Sequence, residues 1–211
     1  MSEFANLKVK EFLQKASSSS PTPGGGTVSA MMGALGASLL RMVAELTVGK
    51  KGYEEVWEEM GGRSEELNEL MGELSRLMDE DSKAFDAVME AFSLPKESEE
   101  EKAARREAIQ RAFKLATEVP LKTAKACLKA LEHAPHIAEK GNKNSISDVG
   151  VGALACMGGL RGALLNVKIN TPSIKDVSFR EAAEREAEEL MKKGEALYEE
   201  TMDRVERVLE G

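Results

Sequence analysis

The spacing of apolar residues predicts helices from one end of the chain to the other. Residues 3–15 place Phe4, Leu7, Phe12 and Leu13 on the inward face of a short helix. Ser17 to Gly26 is a polar, glycine-rich loop, and residues 27–48 follow as a helix of small and apolar residues. Gly61-Gly62 marks a break or bend after Tyr53 and Trp57. From about Ser64 to Phe92 runs a stripe of Leu67, Leu70, Leu74, Leu77, Met78, Phe85, Val88 and Phe92. Leu94-Pro95 ends that helix, and Ser98 with Glu101 forms a capping box for the next. This fourth run reaches about His133, with Pro120 expected to kink it. Pro135 to Gly141 is a short connection with room for one helical turn. Residues 146–168 make a second small-residue helix, and Asn170 to Val177 is loop. Ser178 with Glu181 reads as the capping box of a last helix to about Leu209. No alternation long enough for a strand and no internal repeat is present.

The expected fold is therefore all-α: a multi-helix bundle in one domain, residues 1–211, with two Gly/Ala-rich buried helices. An interior glycine costs a helix about 1 kcal/mol against alanine, so close packing must compensate. Gly33, Gly36, Gly158 and Gly162 are the expected points of closest approach. Small-residue faces also serve membrane helix pairs. Here Arg41, Glu45 and Lys50 interrupt the apolar stretch, which points to a buried helix of a soluble protein. Gly49 supplies its stop.

Charge and cysteine usage narrow the partners. A formal net charge of −8 argues against a nucleic-acid surface. Cys127 and Cys156 lie inside apolar patterns and read as buried thiols of a reducing compartment. The N-terminal segment is amphipathic and lacks a signal-peptide core. A cytoplasmic protein with neither nucleic-acid nor membrane partners is expected.

Four features could carry chemistry. The first is the loop Pro21-Thr22-Pro23-Gly24-Gly25-Gly26, which feeds a helix N-terminus capped by Gly26 or Thr27. Free N–H groups at the positive end of a helix suit an anion or a carbonyl oxygen, and the plainer alternative is a flexible capping loop. Gly25 is expected to sit where a Cβ is excluded. The second is Asp81, which shares a helix face with Leu77, Met78 and Phe85, whereas Asp79 points away. A carboxyl facing a core has a raised pKa suited to acid–base catalysis, or else it pairs with Arg or Lys from another helix. The third is Gly141 to Asp148, where Asn142, Asn144 and Asp148 exceed what helix capping needs. The fourth is Asn166 with Asn170, four apart on one face, as structural clamps or ligand contacts. His133 and His136 lack companions for a metal site, so no metal is expected. No P-loop, dinucleotide fingerprint or nucleophile elbow occurs.

Together these residues carry a resemblance. PTPGGGTVSAMMGALGASLLRMVAELTVGKKGYEE resembles the opening of the cyclodeaminase family. DEDSKAF at 79–85, EVPL at 118–121, GNKNSISD at 141–148 and GALLNVKIN at 162–170 are similar to its later motifs, in the same order. The family includes formiminotetrahydrofolate cyclodeaminase, the cyclodeaminase half of formiminotransferase-cyclodeaminase, and a methenyltetrahydrofolate cyclohydrolase. The resemblance implies an all-α homodimer with a folate site in a cleft. It implies cyclisation of 5-formiminotetrahydrofolate to 5,10-methenyltetrahydrofolate with release of ammonia. The alternatives are the cyclohydrolase reaction of the same family, or a non-catalytic helical dimerisation protein. Asp81 is the implied catalytic residue, with Asp148 as its partner or as a pterin anchor. Pro23, Gly24, Gly25, Gly26, Asn142 and Asn144 are implied site walls, with Asn166 and Asn170 as further contacts. Lys50 is a candidate for the folate's glutamate carboxylates on charge alone, and Lys143 departs from the family pattern. Tetrahydrofolate is the carrier of the one-carbon unit, and no other cofactor is expected. A separate protein is expected to supply the formimino substrate, or else the substrate differs.

Overall fold

The computed structural model describes residues 3–211 and consists of seven α-helices. These are α1 (Val9–Ala16), α2 (Gly25–Glu45), α3 (Trp57–Ser93), α4 (Glu99–Glu132), α5 (Ala134–Lys140), α6 (Ile146–Asn170) and α7 (Val177–Glu210). Short 3-10 turns at Glu54–Val56, Lys143–Ser145 and Thr171–Ser173 lead into α3 and α6 and out of α6.

The two glycine-rich helices lie side by side and antiparallel at the centre. A Cβ on Gly25 would face Asn166, one on Gly159 would meet Gly33 and the Ser29 carbonyl, and one on Gly36 would meet Gly152 and Cys156. At the far end, Asn142 N–H donates to Thr47 Oγ1 at 2.9 Å. As α2 runs forward, its neighbour on α6 runs backward, which defines the direction. By length and composition both helices would suffice to cross a membrane, yet half or more of each is buried inside the bundle. α3 and α4 pack beside this pair, and α7 closes over α6, where Leu160 meets Gly194. The shared core contains Leu40, Leu67, Leu74, Leu131, Leu160 and Val167, all essentially inaccessible to solvent.

Several boundaries differ from the sequence reading. α1 begins at Val9 rather than residue 3, because the Asp79 carboxylate accepts the N–H groups of Glu3 (2.8 Å) and Phe4 (3.0 Å) and anchors the arm before it. Asp79 thus faces away from Asp81 but is not idle. Phe12 is buried, edge-on to Phe4, whereas Leu13 is 60% exposed. Gly61 and Gly62 do not break α3. Both keep negative φ, and strong helix formers such as Glu58, Glu59, Met60 and Arg63 carry the helix through them. The Ser98–Glu101 capping box is present on α4. α4 also continues past Pro120, whose missing N–H frees the Ala116 carbonyl to accept from Asn170 Nδ2 at 2.6 Å. α7 is capped by Asp176 rather than Ser178. The Asp176 carboxylate accepts from the Phe179 N–H, the Ser178 hydroxyl and Lys114, so it outcompetes a serine two residues on. The cap of α2 is Gly24 rather than Gly26 or Thr27.

Candidate active site

A cleft of about 440 Å³ opens at the N-terminal end of α2. The loop supplies one wall with Pro21, Thr22 and Gly24 to Gly26. Gly24 is extended, and α2 starts at Gly25, so the first N–H groups of α2 have no carbonyl within the helix to receive them. Pro23 is buried behind this wall and does not line the cleft, contrary to expectation. α3 supplies Asp81, Ala84, Phe85 and Val88 one turn apart, and α4 supplies Phe113 and Ala116. The last turns of α6 supply Asn166, Ile169 and Asn170. Among the described residues of this lining, Asp81 is the one ionisable side chain.

Asp81 is held from below by α2. The Thr27 hydroxyl donates to Oδ2 at 2.9 Å. An ideal Cβ on Gly26 would lie 2.5 Å from Asp81 Cγ and 2.7 Å from Oδ2, with Oδ1 nearer still, so the carboxyl rests directly on the glycine backbone. Burial pushes the Asp81 carboxyl above its ordinary range, and the Thr27 hydroxyl and N–H pull it partly back. No cation contributes, so the alternative of a buried ion pair with Arg or Lys is not what the structure contains. Asp81 is therefore a desolvated carboxyl poised to carry a proton nearer neutrality than a free aspartate.

The expectation for Gly25 is corrected. A Cβ there would sit 3.6 Å from Asn166 Nδ2, an ordinary contact, and its φ is not positive. The glycine that excludes a side chain is Gly26, one residue on. Asn166 donates to the Gly162 carbonyl at 2.9 Å and presents its amide to the cleft beside Gly25. Asn170 is committed through Nδ2 to the Ala116 carbonyl and so clamps α6 to α4 at the cleft floor.

The remaining predicted residues lie elsewhere in the chain. Eighteen residues separate Asp148 from Asn166 along α6, about 27 Å at 1.5 Å per residue. Asp148, Asn142, Asn144 and Lys50 therefore occupy the opposite pole from Asp81, because α2 and α6 run antiparallel. Local structure accounts for most of them. Asn142 ties the end of α2 through Thr47 Oγ1 and the Leu46 carbonyl, and its Oδ1 accepts the Asn144 N–H. Asp148 is an acid in the first turn of α6, favoured by the helix dipole. Lys50 follows the end of α2, and its carbonyl accepts from Trp57 Nε1. Lys143 caps the carbonyls of Ala138 and Glu139. Sequence reasoning missed Thr27 as a partner of Asp81, and Phe113, Ala116 and Ile169 as cleft walls. Their only signal is apolar spacing, which core residues share.

A second cavity, about 580 Å³ between α6 and α7, has an apolar floor and opposed rim charges such as Arg161 and Glu195, 3.0 Å apart. It holds none of the predicted site residues. The cysteines offer no nucleophile, since burial raises both thiols, Cys156 to about 12.

A helical bundle with an aromatic-walled cleft around one desolvated carboxyl has the features of a candidate acid–base site. Comparison with known proteins makes this specific. Residues 8–189 match the family model described as Formiminotransferase-cyclodeaminase, and the chain belongs to that family. It is 44% identical to the methenyltetrahydrofolate cyclohydrolase of Methylorubrum extorquens over 92% of this chain and 93% of that one. It is 32% identical to the formimidoyltransferase-cyclodeaminase of Mus musculus, covering 83% of this chain but only 32% of that longer protein. The crystal structure of formiminotetrahydrofolate cyclodeaminase from Thermotoga maritima superposes with a TM-score of 0.89 at 34% identity, over 98% of this chain and all of that one. The all-helical fold and the placement within folate one-carbon enzymes stand on these likenesses.

Proposed function

We propose that the cleft takes a reduced folate with its one-carbon unit against Asp81, and that Asp81 moves the protons of the reaction at the carbon between N5 and N10. The observation that carries this reading is the isolation of Asp81: it is the one ionisable side chain in the cleft lining among the described residues, desolvated and without a cationic partner. Phe85, Phe113 and Ile169 provide flat and apolar walls for ring systems, and Asn166 offers an amide for polar edges. Tetrahydrofolate is the carrier, and no other cofactor enters the reading.

Two reactions share this geometry. In hydrolysis, water adds to the methenyl carbon and gives a proton to the Asp81 carboxylate. The C–N5 bond then breaks, N5 takes that proton, and the second water proton leaves to solvent as 10-formyltetrahydrofolate forms. In cyclodeamination, N10 attacks the carbon of the protonated formimino group (–CH=NH2⁺) and passes its own proton to Asp81. The C–N bond to the departing amine breaks as Asp81 returns the proton, and ammonia leaves behind a methenyl bridge. The 44% identity to a relative of like length, named as a cyclohydrolase, favours hydrolysis. Cyclodeamination is the second reading, supported by the name of the Thermotoga maritima structure.

Offering each folate to the purified protein separates them. Loss of methenyl absorbance without ammonia supports hydrolysis. Gain of that absorbance with stoichiometric ammonia from the formimino substrate supports cyclodeamination. Absence of both activities in protein that binds folate overturns the catalytic reading.

A cytoplasmic homodimer completes the proposal. The outer face of the α2–α6 pair exposes Leu35, Met42, Leu46, Val151, Leu154 and Leu165, a wide apolar stripe unusual for a monomer. A second copy of the same face is the occupant we propose. Sedimentation should give twice the 22.9 kDa chain mass, and Leu154→Glu should halve it. A parent that sediments as a monomer refutes the pairing.

A further inference from the structure

The Thr27 side chain is fully buried in the first turn of α2. Its hydroxyl has one proton and three oxygens near it: Asp81 Oδ2 at 2.9 Å, the Met78 carbonyl at 3.4 Å and Ser82 Oγ at 3.5 Å. The carboxylate is the nearest and the only one that carries charge, so the proton goes there. A β-branched side chain packed on all sides has little freedom at χ1, which fixes the direction of that bond. Ordinary helix chemistry does not require it: the cap of α2 is Gly24, and Thr27 makes no bond back to its own helix through its hydroxyl.

We infer that Thr27 is the positioning residue of the site: its hydroxyl holds Asp81 Oδ2 and so fixes the direction of the carboxyl that trades protons with the substrate. The inference rests on the acid–base role proposed for Asp81. Thr27 acts through Asp81 and does not line the cleft itself. It has two effects. The carboxyl cannot rotate away from the reacting carbon, and its charged form is favoured over what burial alone would allow. The surroundings leave little else to set the titration. α2 presents Gly26 and Thr27, α4 presents Phe113 and Ala116, and α6 presents Asn166 and Asn170, none of them ionisable. On α3 itself, Asp79, Glu80 and Lys83 lie off the cleft lining, Asp79 against the N-terminal arm and Glu80 against Lys122 at 3.9 Å.

The test compares Thr27→Val, which keeps shape and loses the hydroxyl, with Thr27→Ser, which keeps the hydroxyl, and with Asp81→Asn. Two readouts are needed. One is the pH profile of kcat/KM with whichever folate the parent turns over. The other is the NMR titration of ¹³C-labelled aspartate carboxyls in the free protein. Thr27→Val should move the Asp81 midpoint and the matching limb of the profile to higher pH together. It should lower kcat about tenfold, the worth of one charge-assisted hydrogen bond, with KM nearly unchanged. Thr27→Ser should restore both. If Thr27→Val does not fold, Thr27→Ala carries the same comparison. A Thr27→Val enzyme with the parental midpoint and profile, beside an inactive Asp81→Asn, overturns the Thr27 role alone. A Thr27→Ser enzyme no better than Thr27→Val does the same. A fully active Asp81→Asn overturns the acid–base reading and the inference with it.

Discussion

Replacing Gly26 by alanine should separate catalysis from folding. The added Cβ would stand 2.5 Å from Asp81 Cγ and 2.7 Å from Oδ2. Non-bonded carbons settle at about 3.5–4.0 Å, so the carboxyl must retreat by about 1 Å or more. It cannot do so and keep its 2.9 Å bond to Thr27. A misplacement of about 1 Å at a reacting group costs about 100-fold in rate. That corresponds to roughly 2.7 kcal/mol of barrier. The stability cost is smaller, because overpacking of about 1–3 kcal/mol is offset by about 1 kcal/mol from alanine's better helix propensity. Gly26→Ala should therefore remain folded with kcat down about 100-fold. Gly25→Ala is the matched comparison, since its Cβ makes only an ordinary 3.6 Å contact with Asn166 and leaves Asp81 in place, and its kcat should fall far less. Steady-state kinetics and thermal unfolding of the two variants decide the matter. A Gly26→Ala enzyme as fast as the parent, or a Gly25→Ala enzyme equally slow, refutes the seating of Asp81 on the α2 backbone.

Three further outcomes follow from the same geometry. Burial raises the Asp81 carboxyl, so the folded chain keeps a proton that the unfolded chain has lost; this stability is fully present below the ordinary aspartate range and disappears as pH rises through the raised value. Asp81→Asn should then match the parent's stability in acid and exceed it at neutral pH, while kcat falls about 10²–10⁴-fold; a variant less stable than the parent at pH 7 counts against the unpaired carboxyl. At Gly159 an alanine meets the Ser29 carbonyl oxygen at 2.7 Å and Gly33 N at 2.9 Å, both backbone, so denaturant unfolding should show a loss of about 1–3 kcal/mol, whereas at Gly158 only the flexible end of Met32 is in the way and the loss should be well below that. Gly61→Ala has no atom within 4 Å of its new Cβ and should raise stability by about 0.5–1 kcal/mol, and no gain would argue against an unbroken α3.

Much of this was legible in the sequence where periodicity alone decides. The stripe from Leu67 to Val88 is the buried side of α3, and Asp81 stood out because a carboxyl on that stripe needs either a cationic partner or a chemical task. Gly61-Gly62 misled because a glycine pair signals a break only when the flanking residues do not carry the helix through. Leu13 misled because a short helix at the edge buries one residue, Phe12, and not a whole face. The grouping of the site is a different matter. Motif order and charge carry no distance, so Asn142, Asn144 and Asp148, grouped by motif, and Lys50, grouped by charge, were expected beside Asp81, whereas the antiparallel helix pair holds them at the other pole of the chain. Asn170 had two readings, and the Pro120 gap in α4 gives it a structural task that no reading of α6 alone would supply.

The glycines of α2 and the chemistry of Asp81 have one physical origin. Glycine weakens a helix, and α2 and α6 hold several at positions where a Cβ would strike a neighbour. Gly33 admits Leu74 from α3, Gly36 admits Gly152 and Cys156 from α6, and Gly159 admits the backbone of Ser29 and Gly33. Each lets α2 sink deeper between α3 and α6 than a helix with side chains could. Gly26 is the last of this series, and what it admits is the carboxyl of Asp81. The same close approach brings Thr27 within a hydrogen bond of Oδ2 and brings Gly25 beside Asn166. A bulkier seam would widen the bundle and leave Asp81 facing solvent, with an ordinary pKa and free rotation. The helix propensity lost along the seam is thus offset by packing through most of its length. At its end the close approach yields a rigid, desolvated carboxyl with a backbone wall beneath it.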